Sequence, residues 1–356
     1  QNNDQFKIVC LSCNCNADLL FEQTKHFMPE KIAINILNIN HPLRSFCKKN
    51  NIDLIVGNNS SNLLSEYKNV DLVVNSIVGT DGLLPTLNTV NNNIELALSN
   101  KESLVLGGHL IMPKVKENTA NLIPVDSEHS AIFQCLHGEE ENTLKKIILT
   151  GSGGPFLTRA IDTFDSIKPE EALKHPNWDM GKKISIDSAT MMNKGLELVE
   201  AIWLFDIDIK DIEVVIHPES IIHSMVQFVY DSYKAHLGIP DMKIPIQYAL
   251  SFPGRIPSNH GTLDFAHIGQ FTFLKPDYNR YPVLRLLVDL IPEEGNKIPI
   301  MSMANDYIVN QFLNEKILFT DIPNLLEKTV NEFGENSSPS VEDLLTLNEQ
   351  IKLYLV

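Results

Sequence analysis

Short apolar runs alternate with stretches of helical periodicity over the first 126 residues. The runs at 6–11, 31–37, 52–56, 70–74, 103–106 and 121–125 read as buried strands. Between them, 61–68 and 84–98 carry helical spacing. Short buried strands separated by helices predict an α/β domain with a mostly parallel sheet, an architecture that binds nucleotides at the carboxyl ends of its strands. From Asp126 to about Ser251, strands at 146–149 and 213–216 mix with helices. Residues 252–277 hold several Pro and Gly and read as a linker. From Tyr278 the pattern is helical. The last helix opens on a capping box, Ser340-Val341-Glu342-Asp343, followed by Leu344, Leu347, Ile351 and Tyr354 at helical spacing.

Composition narrows the function classes. A hydrophobic share of 43% and a charged share of 21% suit a folded globular chain, and 356 residues suffice for two or three domains. The net charge of -16 disfavours a general binder of nucleic acid or of anionic membranes, which select basic surfaces. No apolar run approaches the roughly 18 residues that span a bilayer. Five cysteines, an odd number, suit a reducing compartment, and Cys13-x-Cys15 has no second Cys/His pair at a zinc-like spacing.

Five segments carry candidate chemistry. In Pro124-Val125-Asp126-Ser127-Glu128-His129, residues two apart in an extended chain share a face, so Asp126 and Glu128 would point together from a strand end. Two close carboxylates call for a cation between them, and hard oxygen ligands favour Mg2+ or Mn2+, with Co2+ a further candidate. The alternatives are a solvated turn or a helix N-cap. In Asp187-Ser188-Ala189-Thr190-Met191-Met192-Asn193-Lys194-Gly195-Leu196-Glu197, Ser188, Asn193 and Lys194 offer the donors and positive charge that a phosphate needs. Glu197 lies near the start of a helix that continues through Glu200, and a capped surface helix is the bland alternative. Thr150-Gly151-Ser152-Gly153-Gly154 follows a strand and is a phosphate cradle, a lid hinge or a plain turn. His175-Pro176-Asn177-Trp178-Asp179-Met180-Gly181 reads as ligand cover or core. Asn100-Lys101-Glu102-Ser103 is expected to end a helix and start a strand, with Lys101 either a site cation or a helix C-terminal charge. His217 and His223 are expected to flank a strand-to-helix turn and say little individually.

Taken together these segments resemble the 1-deoxy-D-xylulose 5-phosphate reductoisomerases of the non-mevalonate isoprenoid pathway. Eight motifs stand in the family's order: 77–84, 100–105, 122–134, 150–156, 175–181, 183–200, 216–225 and 237–246. The resemblance implies an NADPH-dependent oxidoreductase that is also an isomerase. A divalent ion would promote carbon–carbon rearrangement by retro-aldol cleavage and re-aldolisation. NADPH would then reduce the aldehyde to 2-C-methyl-D-erythritol 4-phosphate. It further implies a Rossmann-like cofactor domain over 1–126, a catalytic α+β domain over 127–251 with a flexible lid near 175–183, a linker over 252–277 and a helical domain over 278–356. Position by position, Asp126, Glu128 and Glu197 match the metal ligands, with Lys101, Glu128 and Glu197 in catalytic roles. Ser127, Ser152, His175, Ser188, Asn193 and Lys194 match the substrate site, and Trp178 and Met180 the lid over it. Gly79, Asn100, Glu102, Gly181 and Met242 fall at cofactor positions. A homodimer is expected, in the cytoplasm or, in a eukaryote, in a plastid or apicoplast.

The chain departs from the family at its start. The family opens on a Gly-Ser-Thr-Gly-Ser-Ile-Gly-type turn that binds the cofactor pyrophosphate, and nothing here matches it. Residues 1–11 align with the family's second strand, and the turn after it, Ser12-Cys13-Asn14, has no cation for a 2′-phosphate. The expectation is that a first strand, turn and helix precede Gln1. Two readings compete with the reductoisomerase. One is a metal-dependent phosphosugar isomerase or aldolase-like enzyme without hydride transfer. The other is a non-catalytic binding protein, which predicts decay at the metal and phosphate positions.

Overall fold

The computed structural model describes residues 5–140, 142–293 and 295–356. Its contacts divide the chain into two compact units. The first takes the described part of Gln1–Asn75 with Leu84–Leu96 and Lys114–Leu122; the second takes Ser76–Leu83, Ala97–Pro113 and Ile123–Val356.

In the first unit, strands β1 (Cys10–Cys13), β2 (Lys31–Ile34) and β3 (Asp53–Val56) alternate with helices α1 (Ala17–Phe27), α2 (Pro42–Asn50) and α3 (Ser60–Ser65). The strands form a parallel sheet in the order β1-β2-β3. Ile32, Ala33 and Ile34 are fully buried, as a strand covered on both faces requires, and Ile32 and Ile34 pack with Leu20, Leu43 and Cys47. Local chemistry sets the helix ends. Asn16 accepts the Leu19 N–H over 3.1 Å to start α1, and Pro42 opens α2, which stops at left-handed Asn51. The expected strand at 6–11 is displaced to Cys10–Cys13.

A second three-stranded sheet has the order β4-β5-β6, from β4 (Leu72–Asn75), β5 (Glu95–Leu98) and β6 (Leu122–Pro124), with α4 (Leu83–Asn91) and α5 (Lys101–Glu117) between them. Here two expectations fail. The apolar run 103–106 is helix, not strand, and 95–98 is strand, not the end of a helix. The first error has a physical cause. Residues 101–108 of α5 are all buried, so no polar face marks the helical period. The start is capped by Asn100, whose Oδ1 accepts the Ser103 N–H over 2.9 Å. The second follows from Asn93, whose φ of +53° breaks the chain between α4 and β5.

The second unit continues with α6 (Ser127–Leu136), β7 (Leu144–Gly151), α7 (Pro169–Ala172), α8 (Lys182–Thr190), α9 (Met192–Phe205), β8 (Ile212–Ile216), β9 (Ile222–Phe228) and β10 (Tyr233–Leu237). The strands form a mixed sheet in the order β10-β9-β7-β8, with β7 and β8 parallel and β9 antiparallel to both its neighbours. Ile147, Leu149, Val214, Val226 and Phe228 of the sheet pack with Leu198 and Leu284. His217 and His223 therefore flank a strand-to-strand turn rather than a strand-to-helix one. Helices α10 (Lys243–Ser251), α11 (Phe265–Ile268), α12 (Pro282–Leu290), α13 (Lys297–Leu313), α14 (Asp321–Phe333) and α15 (Val341–Leu355) complete the chain. Ser340 and Asp343 form the expected capping box, and Leu344, Leu347 and Ile351 are buried.

Candidate metal and phosphate site

Two helix starts bring three carboxylates together. β6 ends at Pro124 and α6 begins at Ser127, so Asp126 is an N-cap residue and Glu128 lies in the first helical turn. The extended strand end expected from the sequence is thus a helix start. Asp126 makes no capping bond with its side chain, which leaves its carboxylate for the site. The positive end of the α6 dipole favours both anions. Glu197 comes from α9, which is set off from α8 by left-handed Met191 (φ 61°). One oxygen from each of Asp126, Glu128 and Glu197 lies within 4.8 Å of the others.

Two ammoniums sit among them. Lys194 Nζ lies 2.8 Å from Glu128 Oε1 and 2.6 Å from Glu197 Oε2, and donates to the Thr150 carbonyl over 2.5 Å. Lys101 Nζ lies 2.7 Å from Asp126 Oδ2 and 3.9 Å from Glu197 Oε1, and donates to Asn193 Oδ1 over 2.6 Å. Asn193 Nδ2 in turn donates to Glu197 Oε1 over 2.5 Å. Lys101 thus opens helix α5, where it faces these carboxylates, and does not close a helix as a C-terminal charge. Burial opposes its charge, but Asp126, Glu197 and Glu200 outweigh that and hold it above its ordinary range. Burial acts likewise on Lys194, and Glu128 and Glu197 outweigh it.

Glu197 is fully buried. Burial and the neighbouring Glu128 push its carboxyl up to about 8, with Lys194 pulling the other way. Three carboxylates against two ammoniums leave an excess negative charge in a dry place, and Glu197 carries that strain. The donor set is all oxygen and hard, and its excess charge is negative, so it fits Mg2+ or Mn2+.

Behind the carboxylates lies a second buried layer that the sequence reading did not single out. His129, also on α6, places Nε2 3.0 Å from the Glu197 carbonyl oxygen and Nδ1 3.3 Å from Glu200 Oε2. Burial opposes its charge, yet Glu200 and Asp126 raise it to about 9, so it is protonated at neutral pH and can donate from both nitrogens. The available signal was spacing: Asp126 to His129 and Glu197 to Glu200 are both three residues apart on a helix, hence on one face.

A cavity of about 320 Å3 opens over this cluster. Lys101, Asp126, Ser127, Glu128, Asn193 and Lys194 line it, as do Ser152, His175 and Ser188. Ser127 donates to Glu128 Oε2 over 2.6 Å. The glycine loop after β7 closes tightly on α8. A Cβ on Gly154 (φ +67°) would lie 2.8 Å from the Ser188 carbonyl oxygen, so only glycine fits. His175 Nδ1 accepts the N–H groups of Asn177 and Trp178, over 3.1 and 3.0 Å. Its proton therefore sits on Nε2, which donates to Ser152 Oγ over 3.0 Å. Burial lowers His175 to about 4, so it stays neutral. Ser152 Oγ also accepts the Gly154 N–H over 3.1 Å, which directs the hydroxyl proton elsewhere.

The segment from His175 to Gly181 has no helix or strand and contributes Trp178, Met180 and Gly181 to the cavity lining. Trp178 faces His223, ring centroids 6.1 Å apart, and Met242 also lines the cavity. Gly79, Asn100 and Glu102 do not line the cavity. They are bound to one another: Asn100 Nδ2 lies 3.0 Å from both the Gly79 carbonyl oxygen and Glu102 Oε2.

Known proteins of one family resemble this chain over nearly its whole length. The family model of 1-deoxy-D-xylulose 5-phosphate reductoisomerase matches residues 1–108, and models of that enzyme's C-terminal domain match 122–205 and 237–354. The reductoisomerase of Clostridium perfringens is 43% identical over 99% of this chain and 93% of its own length. That of Colwellia psychrerythraea is 43% identical over 99% and 89%. A solved DOX-P reductoisomerase in complex with NADPH, fosmidomycin and magnesium superposes with a TM-score of 0.93, at 35% identity, over 100% of this chain and 92% of that one. The Zymomonas mobilis enzyme in complex with NADPH gives 0.91, at 36% identity, over 99% and 92%. The chain belongs to the 1-deoxy-D-xylulose 5-phosphate reductoisomerase family.

Proposed function

We propose that this cavity rearranges 1-deoxy-D-xylulose 5-phosphate and reduces the product to 2-C-methyl-D-erythritol 4-phosphate. The observation that carries the reading is the convergence of Asp126, Glu128 and Glu197, with Asp126 and Glu128 lining a cavity that Ser152, Ser188, Asn193 and Lys194 also line. Asp126, Glu128 and Glu197 would hold the divalent cation. Bound there, Mg2+ or Mn2+ supplies Lewis-acid polarisation of the substrate's oxygens. NADPH, with which two solved relatives are in complex, would supply the hydride.

The chain's own residues bind, orient and exclude water. Ser152 and Ser188 offer hydroxyl donors to the phosphate. Asn193 and Lys194 are shared between carboxylates and substrate: once the charge of Glu128 and Glu197 is offset, their donors are released for phosphate oxygens. Lys101 keeps a positive charge beside Asp126 through the reaction, and Ser127 contacts the substrate backbone. Trp178 and Met180 shut the cavity from water, which strengthens each charge interaction inside it. Gly181 and Met242, which also line the cavity, would stand near the nicotinamide. Gly79, Asn100 and Glu102 serve the cofactor from outside the cavity wall.

The reading without hydride transfer finds no support, since solved relatives carry NADPH. The binding-protein reading predicts decay among positions that are instead intact and assembled. We infer a homodimer as well. The mixed sheet ends at β10, and Val229, Tyr230 and Tyr233 beside that edge are exposed. No helix among the described residues is long and apolar enough to cross a membrane. The five cysteines are free, which suits the cytoplasm or the reducing interior of an organelle.

The test is a set of omissions. Purified protein with 1-deoxy-D-xylulose 5-phosphate, Mg2+ and NADPH is expected to oxidise the cofactor, and to stop when sugar phosphate or cation is left out. Substrate binding without cofactor oxidation in the complete mixture would overturn the reading.

A further inference from the structure

Helix α8 has two neighbouring stripes, one for the site and one turned away from it. Ile184 and Ser188, four residues apart, line the cavity. Lys183 and Asp187, also four apart, face a buried ionic cluster that does not touch it. Lys183 Nζ lies 2.8 Å from Asp187 Oδ2, 3.0 Å from Glu102 Oε1 on α5 and 3.2 Å from Asp306 Oδ1 on α13. Asn305 Nδ2 donates to Asp187 Oδ1 over 2.7 Å. A Cβ on Gly79 (φ +76°) would lie 2.8 Å from Asp306 Oδ2, so the turn opening at Gly79 packs directly on the cluster.

The position of Lys183 is telling. It lies in the first turn of α8, where the helix dipole disfavours a cation. Three carboxylates offset this, Asp187 from α8 itself and the other two from α5 and α13. The contact therefore ties the start of α8 to both, immediately after the lid segment ends at Gly181. The first residue of the lid is tied elsewhere, His175 to Ser152.

We propose that Lys183 is a positioning residue: the post that fixes the rotation of α8, and with it Ser188 at the phosphate and the fixed end of the lid. A turn of α8 about its axis cannot move the Lys183–Asp187 stripe without moving Ser188, which lies next to it on the same helix. Lys101 does not depend on this post, because its own ion pair with Asp126 holds it. Loss of Lys183 should then weaken capture of the sugar phosphate more than it slows the chemistry. The proposal rests on the placing of Ser188 in the phosphate site.

Lys183→Met alone leaves three carboxylates without a cation, so the test uses Lys183→Met with Asp306→Asn, which keeps the cluster's net charge at that of the native protein. The expected result is a folded protein whose KM for 1-deoxy-D-xylulose 5-phosphate rises about 10-fold, with kcat down by less than about 3-fold. Amide hydrogen exchange over 182–188 should speed up, with α13 unchanged. A native KM together with native exchange overturns the proposal. If the double variant does not fold, Lys183→Arg decides. Its larger, planar head must push the carboxylates apart, so a KM about 2- to 5-fold higher supports the post and a native KM overturns it. Ser188→Ala is the control. If it leaves KM unchanged, the placing of Ser188 fails, and the exchange of 182–188 alone decides the role of Lys183.

Discussion

Lys194 Nζ lies 2.6 Å from Glu197 Oε2, three residues along the same helix, and both groups are buried. An ammonium thus occupies part of the charge deficit that a divalent cation is expected to fill. Removing it should expose that deficit. Lys194→Ala is expected to destabilise the metal-free protein by about 3–5 kcal/mol, the cost of leaving buried carboxylates uncompensated. Saturating Mg2+ should recover a larger share of the thermal midpoint in this variant than in the native protein. Melting curves with Mg2+ and with chelator read both effects. An equal Mg2+ response in the two proteins would contradict the shared role of Lys194.

Glu197→Gln separates charge from shape. The amide fills the same space, and Lys194 keeps Glu128 and the Thr150 carbonyl as partners. The fold should therefore survive, while kcat/KM falls by at least about 100-fold, as when a preorganised electrostatic group is lost. Turnover within a few-fold of native would remove Glu197 from the cation site.

The raised carboxyl of Glu197, about 8, makes cation binding depend on pH. Below that value the group is protonated, and the cation must displace the proton; above it, no proton competes. Affinity for Mg2+ should rise with pH and level off near 8, with proton release on binding at about pH 6.5. Calorimetry in buffers of different ionisation enthalpy measures the released proton. An affinity that is flat between about pH 6.5 and 8.5 would show that Glu197 is already ionised.

The second layer makes its own prediction. His129→Ala removes the cation beside buried Glu200 and the donor to the Glu197 carbonyl oxygen. Losses of outer partners usually cost about 10–100-fold in metal affinity, and that range is expected here. Mn2+ titration of the folded variant reads it, and native affinity would assign His129 to packing alone.

How much of this was legible in the sequence depends on which signal each part leaves. Strand β2 was visible as an apolar run because both its faces are buried, and β3 as an apolar run although it is only half-buried. The run at 103–106 is equally apolar and equally buried but helical, so burial hid the period that would have told the two apart. The metal carboxylates were legible as residue types before their geometry was. Asp126 and Glu128 were paired on strand logic, whereas the pairing arises from an N-cap and a first helical turn. His129 and Glu200 were passed over because a buried His–Glu pair leaves no sequence mark beyond spacing. Strands β9 and β10 follow His217, where His217 and His223 read as flanking a strand-to-helix turn. The partners of Lys183 are 81, 4 and 123 residues away in the chain, a separation that only folding closes.

Anomalous diffraction from Mn2+-soaked crystals tests the central claim most directly. The account predicts one strong peak within about 2.5 Å of oxygens from Asp126, Glu128 and Glu197, a normal distance for Mn2+ with oxygen ligands, with Lys194 Nζ moved away from it. A peak between Asp126, His129 and Glu200, the other grouping of ligand-type side chains among the described residues, or none near Glu197, would contradict it.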